Sequence, residues 1–154
     1  MGIEIERKFL VINNDWRDIA KPLACRQGYI YAGKKGAVRV RTINEKGYLT
    51  VKSAMIGLTR LEFEYEIPLN DANNLLENMC ANYIIEKQRS RITYGNHVWE
   101  IDEFHGYNKG LILAEIELND ENEIFERPSW IGKEVSSDTR YHNSNLSKKP
   151  FCQW

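Results

Sequence analysis

Several common sequence signals are missing from this chain, and each absence removes a class of protein. Its 154 residues contain no apolar run near the ~20 that a membrane-spanning helix needs. After Met1, where a secretory leader would carry its hydrophobic stretch, stand Glu4, Glu6, Arg7 and Lys8. Cysteine is scarce and odd in number: Cys25, Cys80 and Cys152 are widely spaced and form neither a disulfide framework nor a metal-ligand pattern, so they read as inert packing residues. His97, His105 and His142 include no pair at metal-ligand spacing. No low-complexity linker, internal repeat or block of like charge interrupts the chain. The formal net charge is −1, which excludes a global field drawing the chain to nucleic acid or an anionic membrane. The expectation is one domain over residues 1–154, large enough to bury a core, in the reducing cytoplasm, with no nucleic-acid or membrane partner.

What the chain has is charge arranged with a period of two. The opening "GIEIERKFLV" alternates Glu4, Glu6 and Lys8 with largely apolar neighbours, the mark of a strand with two unlike faces. The pattern recurs. "AVRVRTI" sets Arg39 and Arg41 against Val38 and Val40, and "YLTVKSA" places Lys52 among apolar neighbours. "RLEFEYEIPL" alternates Glu62, Glu64 and Glu66 with Leu61, Phe63, Tyr65 and Ile67. "IIEKQRSRITY" repeats Lys87, Arg89 and Arg91, "HVWEIDEF" repeats Glu100 and Asp102, and "LILAEIEL" repeats Glu115 and Glu117. With "CRQGYIYA" these make roughly eight strands, joined at "AGKKG", "NEKG", "YGNH" and "HGYNKG" by short turns that imply antiparallel pairing. Helical spacing is confined to residues 70–82, with Asn70 or Asp71 as the cap, to "NDWRDIA" and to a C-terminal segment over 137–146. The class is α+β, dominated by sheet.

A charged strand face usually meets water, so a one-sided sheet is one arrangement. The other is an eight-stranded antiparallel closed barrel with the charged faces turned inward and a few helices packed outside; closure leaves no sheet edges. Grouping of sign by strand favours the barrel. Arg39, Arg41, Lys52, Lys87, Arg89 and Arg91 lie on basic strands, whereas Glu4, Glu6, Glu62, Glu64, Glu115 and Glu117 lie on acidic ones. Burying an unpaired ion costs several kcal/mol, so such a lumen calls for compensating ligands. Arg forks and Lys point charges suit phosphate, and carboxylates suit Mg²⁺ or Mn²⁺. A metal-bound polyphosphate meets both demands.

At this point the chain resembles the CYTH superfamily, the triphosphate tunnel metalloenzymes. Glu4-x-Glu6-x-Lys8 resembles its N-terminal signature, and the likeness continues in order through "VRVR", "TVK", "EFEYEI", "EKQRSR", "WEIDEF", "AEIEL" and "GKEVSSDTRYHNSNL". Only "SSD" at 136–138 departs mildly, from a Thr-containing version. The resemblance implies an eight-stranded tunnel that holds a triphosphate. It maps metal carboxylates onto Glu4, Glu6, Glu115 and Glu117, with Glu62 and Glu64 as further acidic residues; the charge pattern of the strands adds Asp102 as a candidate. The resemblance maps phosphate-binding bases onto Lys8, Arg39, Arg41, Lys52, Lys87, Arg89 and Arg91.

Among the members it implies, the chain most resembles compact inorganic triphosphatases. In some of these a Lys–Tyr pair is proposed to activate water, which here would be Lys8 with Tyr29; packing at a rim is the competing role for Tyr29. The expected reaction is Mg²⁺- or Mn²⁺-dependent hydrolysis of a terminal phosphoanhydride. The alternatives are a thiamine triphosphatase, a class IV adenylyl cyclase or a non-catalytic polyphosphate binder. The expected partner is a small triphosphate substrate, with a homodimer left open. Glu66, Glu100 and Arg91 are expected at the rim, and Arg140 is a residue that a C-terminal helix could lend to substrate.

Overall fold

The computed structural model describes residues 2–154. The strands are β1 (Gly2–Val11), β2 (Leu23–Gly33), β3 (Gly36–Ile43), β4 (Lys46–Ser53), β5 (Thr59–Ile67), β6 (Ala81–Tyr94), β7 (His97–Phe104), β8 (Ile112–Glu117) and β9 (Ile131–Glu134). Two helices, α1 (Leu69–Asn78) and α2 (Asn143–Lys148), complete the regular structure of the described residues, apart from short 3₁₀ turns. No helix among these residues is long and apolar enough to cross a membrane.

Strand order is β5-β4-β3-β2-β6-β7-β8-β1-β9, with a further β5–β1 pairing that closes the first eight strands into an antiparallel ring. The closed barrel is the arrangement adopted. Local turns set most of its register. Between β2 and β3 the chain reverses over Lys34 and Lys35, and Gly36 follows at φ +140°, where an added Cβ would strike the Lys52 carbonyl oxygen. The β3–β4 reversal puts Asn44 at φ 53°, a conformation that Asn tolerates better than most residues.

Closure rests on β1, which changes partner along its length. Gly2–Ile5 pair with β5, Glu6–Leu10 with β8, and Phe9 and Val11 with β9. Arg7 points outward and forks onto Glu134 of β9, Nε to Oε2 at 2.9 Å, while its guanidinium lies 5.0 Å from the Phe125 ring centre. β9 is the element beyond the eight expected strands.

Outside the barrel, apolar faces are covered in two places. Phe9, Trp99, Ile101, Ala114 and Ile116 pack with Trp16, Leu118 and Trp130. Val40 packs with Ala72 and Leu76 of α1. Elsewhere the outer face is bare: the register pairs Ile3–Leu61 and Val51–Phe63 are exposed across β1, β5 and β4, as is Tyr65. A third apolar cluster caps one end of the lumen, where Tyr29, Ile85, Phe104 and Leu113 pack against Val135 and Leu146 of the C-terminal segment.

The helices differ in detail from the sequence expectation. α1 ends at Asn78 and β6 begins at Ala81, so residues 79–82 lie outside the helix. Its N-cap is Pro68, whose carbonyl accepts from the Ala72 amide; Asn70 and Asp71 lie inside the first turn, where Asp71 suits the positive end of the helix. The segment 137–146 divides into a 3₁₀ turn at Thr139–Tyr141 and α2.

Candidate active site

Alternation places the charged side chains inside the ring. They surround a cavity of about 250 Å³ lined by Glu4, Glu6 and Lys8 of β1, Arg39 and Arg41 of β3, Lys52 of β4, and Arg60, Glu62 and Glu64 of β5. The circle is completed by Lys87, Arg89 and Arg91 of β6, Glu100 of β7, and Glu115 and Glu117 of β8. The lining therefore holds seven carboxylates and eight Lys or Arg side chains. Arg91, Glu100 and Glu117 also line a second cavity with Asn96, His97 and Glu123, so this end opens outward. Ser136, His142, Asn143 and Ser144 close the other.

Most of these ions are paired. Arg39 and Arg41 both reach Glu64 Oε2, at 3.2 and 3.1 Å, and Thr50 donates to the same oxygen at 2.8 Å. Lys52 lies 2.8 Å from Glu62 and 3.4 Å from Glu4. Lys8 lies 3.2 Å from Glu115, and Arg89 reaches Glu100 at 3.2 Å. Among the described residues the Nε groups of Arg39 and Arg41 are nonetheless buried without an acceptor, a costly state that an anion would relieve.

Ionisation follows this geometry. Burial alone would raise the Glu4 carboxyl, yet Lys52 and Arg60 hold it down at about 2. Burial likewise opposes ionisation of Glu115, but Lys8, Arg89 and Lys87 hold its pKa well below the usual carboxylate range. Glu6 goes the other way: burial, then Glu115 and Glu4, push it well above that range. Glu117 is also raised, by burial and by Glu4, Glu62 and Glu100. Burial lowers Lys52 and Lys87, each also crowded by a neighbouring arginine.

Three expected roles meet a different geometry. Asp102 does not line the cavity. It is fully buried beneath the bases, with Lys87 Nζ on Oδ2 at 2.8 Å and Arg89 forked onto both oxygens at 2.7 Å, so its lone pairs are committed to Lys87 and Arg89 rather than open to the cavity. Lys8 and Tyr29 share the lining, but their polar atoms have other partners. Lys8 Nζ bonds Glu115 and the Tyr141 carbonyl, and the Tyr29 hydroxyl meets Gln27 at 3.5 Å. Burial raises the Tyr29 phenol against the lowering pull of Arg39, Arg60 and Lys8. Arg140 is exposed and bound to Asp138 at 2.7 Å, away from the lining.

Two contributors escaped the sequence reading. Arg60 stands in register opposite Glu4, with Nε 2.8 Å from Oε2. Its signal was present, because Arg60, Glu62 and Glu64 continue one alternating face. The helical spacing over 137–146 singles out no residue for the lumen, yet Asn143 Oδ1 accepts from Lys87 Nζ at 3.2 Å. His142 also lines the cavity, its pKa lowered by burial and by Lys8.

The acidic side of the lumen fits a hard divalent cation. Its donors are all carboxylate oxygens, and two of them, Glu6 and Glu117, are held in unfavourable proximity to other acids. Among the described residues no three ligand groups already converge into a coordination sphere. Glu4 and Glu115 are occupied by bases, which a cation would have to replace.

Comparison with known proteins agrees with this geometry. The CYTH domain model matches residues 2–150. An inorganic triphosphatase of Acetivibrio thermocellus is 52% identical over 151 residues, covering 98% of this chain and 97% of that protein. An inorganic triphosphatase of Nitrosomonas europaea is 33% identical over 148 residues, covering 94% and 96%. A crystal structure of an inorganic triphosphatase superposes with a TM-score of 0.65 at 29% identity, covering 96% of this chain and 95% of that one.

Proposed function

The chain belongs to the CYTH domain family, and from that premise we propose that it hydrolyses the terminal phosphoanhydride of inorganic triphosphate with a divalent cation, Mg²⁺ or Mn²⁺. The observation that carries this reading is one charged lumen in which two buried guanidinium N–H groups lack acceptors among the described residues while carboxylates crowd the facing side. The lining offers a polyphosphate many donors and a nucleobase little: its apolar members are Ala37, Met55, Leu58 and the buried ring of Tyr29.

In the reaction, water adds to the terminal phosphorus as the bond to the bridging oxygen breaks, giving orthophosphate and pyrophosphate. Arg39 and Arg41 fork onto phosphate oxygens, and Lys52, Lys87 and Arg89 spread positive charge along the chain, so that the phosphorus is held in line for attack. Asp102 is a positioning residue: gripping Lys87 and Arg89 from behind, it fixes where their remaining N–H groups point. Lys8 is fixed in the same way by Glu115 and the Tyr141 carbonyl. Glu4, Glu6, Glu115 and Glu117 would hold the cation, with Glu62 and Glu64 supporting. When bound, it supplies Lewis-acid neutralisation of the phosphate oxygens and a site for the attacking water. Three unpaired cysteines fit a reducing compartment, and we assign the protein to the cytoplasm.

The test is incubation of the protein with tripolyphosphate, thiamine triphosphate and ATP, each with and without Mg²⁺ or Mn²⁺. Metal-dependent phosphate release, fastest from tripolyphosphate, is expected. Faster release from thiamine triphosphate, cyclic AMP as the main product from ATP, or binding without turnover would overturn the reading.

A further inference from the structure

Arg60 and Glu4 meet where β5 and β1 close the ring. The guanidinium uses Nε on Glu4 Oε2 at 2.8 Å, and its two Nη groups bond no protein atom among the described residues. The side chain lines the same cavity as the phosphate-binding bases. Glu4 is shared: Lys52 lies 3.4 Å from both of its oxygens. The two bases differ in what they keep if Glu4 turns elsewhere. Lys52 retains Glu62 at 2.8 Å, whereas Arg60 has no second carboxylate within ion-pair distance among the described residues.

We propose that Arg60 couples cation binding to anion binding: with the lumen empty it holds Glu4, and when a divalent cation takes that carboxylate the freed guanidinium forks onto the incoming polyphosphate. The proposal rests on the reading of Glu4 as a metal ligand. One carboxylate cannot satisfy both the guanidinium and a divalent ion at full strength, so Arg60 weakens metal binding in the absence of anion. Once released, a partly buried guanidinium without a counter-ion is unfavourable, and phosphate oxygens supply the planar, bidentate match it lost. Each ligand then tightens the other by the same factor, as linkage requires. Arg60 thereby favours the metal–triphosphate pair over either component alone.

Calorimetric titration tests this without turnover. Mn²⁺ and a methylene-bridged triphosphate analogue, whose P–C–P links resist hydrolysis, are titrated singly and then each in the presence of the other. In the unaltered protein each ligand tightens the other. In Arg60→Gln, Mn²⁺ alone binds at least as tightly as before, and the mutual tightening falls roughly tenfold, within the usual range of such couplings. Arg60→Lys, which keeps the charge and loses the fork, falls between. A lower melting temperature with coupling unchanged in both variants would reduce Arg60 to a structural ion pair and overturn the proposal. Glu4→Gln separates the two levels. Unchanged Mn²⁺ affinity in that variant removes Glu4 from the metal site. Weakened Mn²⁺ affinity there, with coupling intact in Arg60→Gln, defeats the coupling alone.

Discussion

The side chains of Lys87 and Asp102 meet at 2.8 Å with 1% and 0% of their surfaces exposed, and Arg89 closes on the same carboxylate at 2.7 Å. A single buried anion thus balances two cations from the neighbouring strand. Burial would raise its pKa, but Arg89 and Lys87 together hold it below the usual value.

Removing that anion leaves buried Lys87 with no carboxylate partner among the described residues and Arg89 with only its longer contacts to Glu100 and Glu115. Asp102→Ala is expected to cost about 3–5 kcal/mol of folding free energy, the usual penalty for breaking a buried pair from one side. Urea unfolding of the variant against the unaltered protein measures it. A loss under about 1 kcal/mol, the range of exposed pairs, would contradict the buried geometry.

Acid should act through Glu4. Its folded pKa of about 2 lies below the ordinary 4.5, so ionised Glu4 stabilises the fold above pH 4.5, and that contribution fades as the pH falls towards 2. A tenfold change in acid strength corresponds to about 1.4 kcal/mol, so the effect is roughly 3 kcal/mol at most. Unfolding free energies measured from pH 6 to pH 2 should therefore fall more steeply for the unaltered protein than for Glu4→Gln. Parallel curves would show that the carboxylate gains nothing from Lys52 and Arg60.

Glu6 offers the opposite sign. Burial and the neighbouring Glu115 and Glu4 favour its protonated form, which a glutamine imitates in shape and charge. Glu6→Gln should fold with stability within about 0.5 kcal/mol of the original, the range of benign substitutions. Metal-dependent phosphate release should nevertheless fall by at least about 100-fold, since a carboxylate oxygen of the proposed metal site is gone. Thermal unfolding and a phosphate assay on the same sample check both halves; retained activity would take Glu6 out of the site.

Tyr29→Phe addresses the base. A phenol that burial raises despite nearby cations stays protonated at neutral pH and cannot accept a proton from water. General bases contribute about 10²–10⁴-fold, so a loss of less than about tenfold in kcat is expected. A larger loss, with the pH profile of kcat also altered, would restore Tyr29 as the base.

The barrel and its lumen were legible in the sequence because strands such as "AVRVRTI" must turn alternate residues to opposite faces, and grouping of sign by strand favours enclosure over a one-sided sheet. β9 was not legible. Four residues, Ile131–Glu134, carry no period, and their strand state is set by β1 and the Arg7–Glu134 fork. Asp102 alternates in step with Glu100, so spacing alone could not tell a lumen carboxylate from one buried under its neighbours. That difference depends on Lys87 and Arg89 folding over it. The cap pairs Val135, in irregular chain just after β9, with Leu146 of the six-residue α2, a helix too short for its period to say which surface it covers.

The dependence of closure on β1 has a consequence in time. Hairpins β3–β4 and β4–β5 assemble from adjacent chain, but Gly2 awaits Glu62, Lys8 awaits Glu115 and Phe9 awaits Glu134. During synthesis β1 leaves the ribosome before every strand it pairs with and waits for all of them, and such distant pairings are slow. Until they form, the opposed charges remain in water on an unrolled ribbon, and a chain arrested before Ile112 has strands but no catalytic chamber.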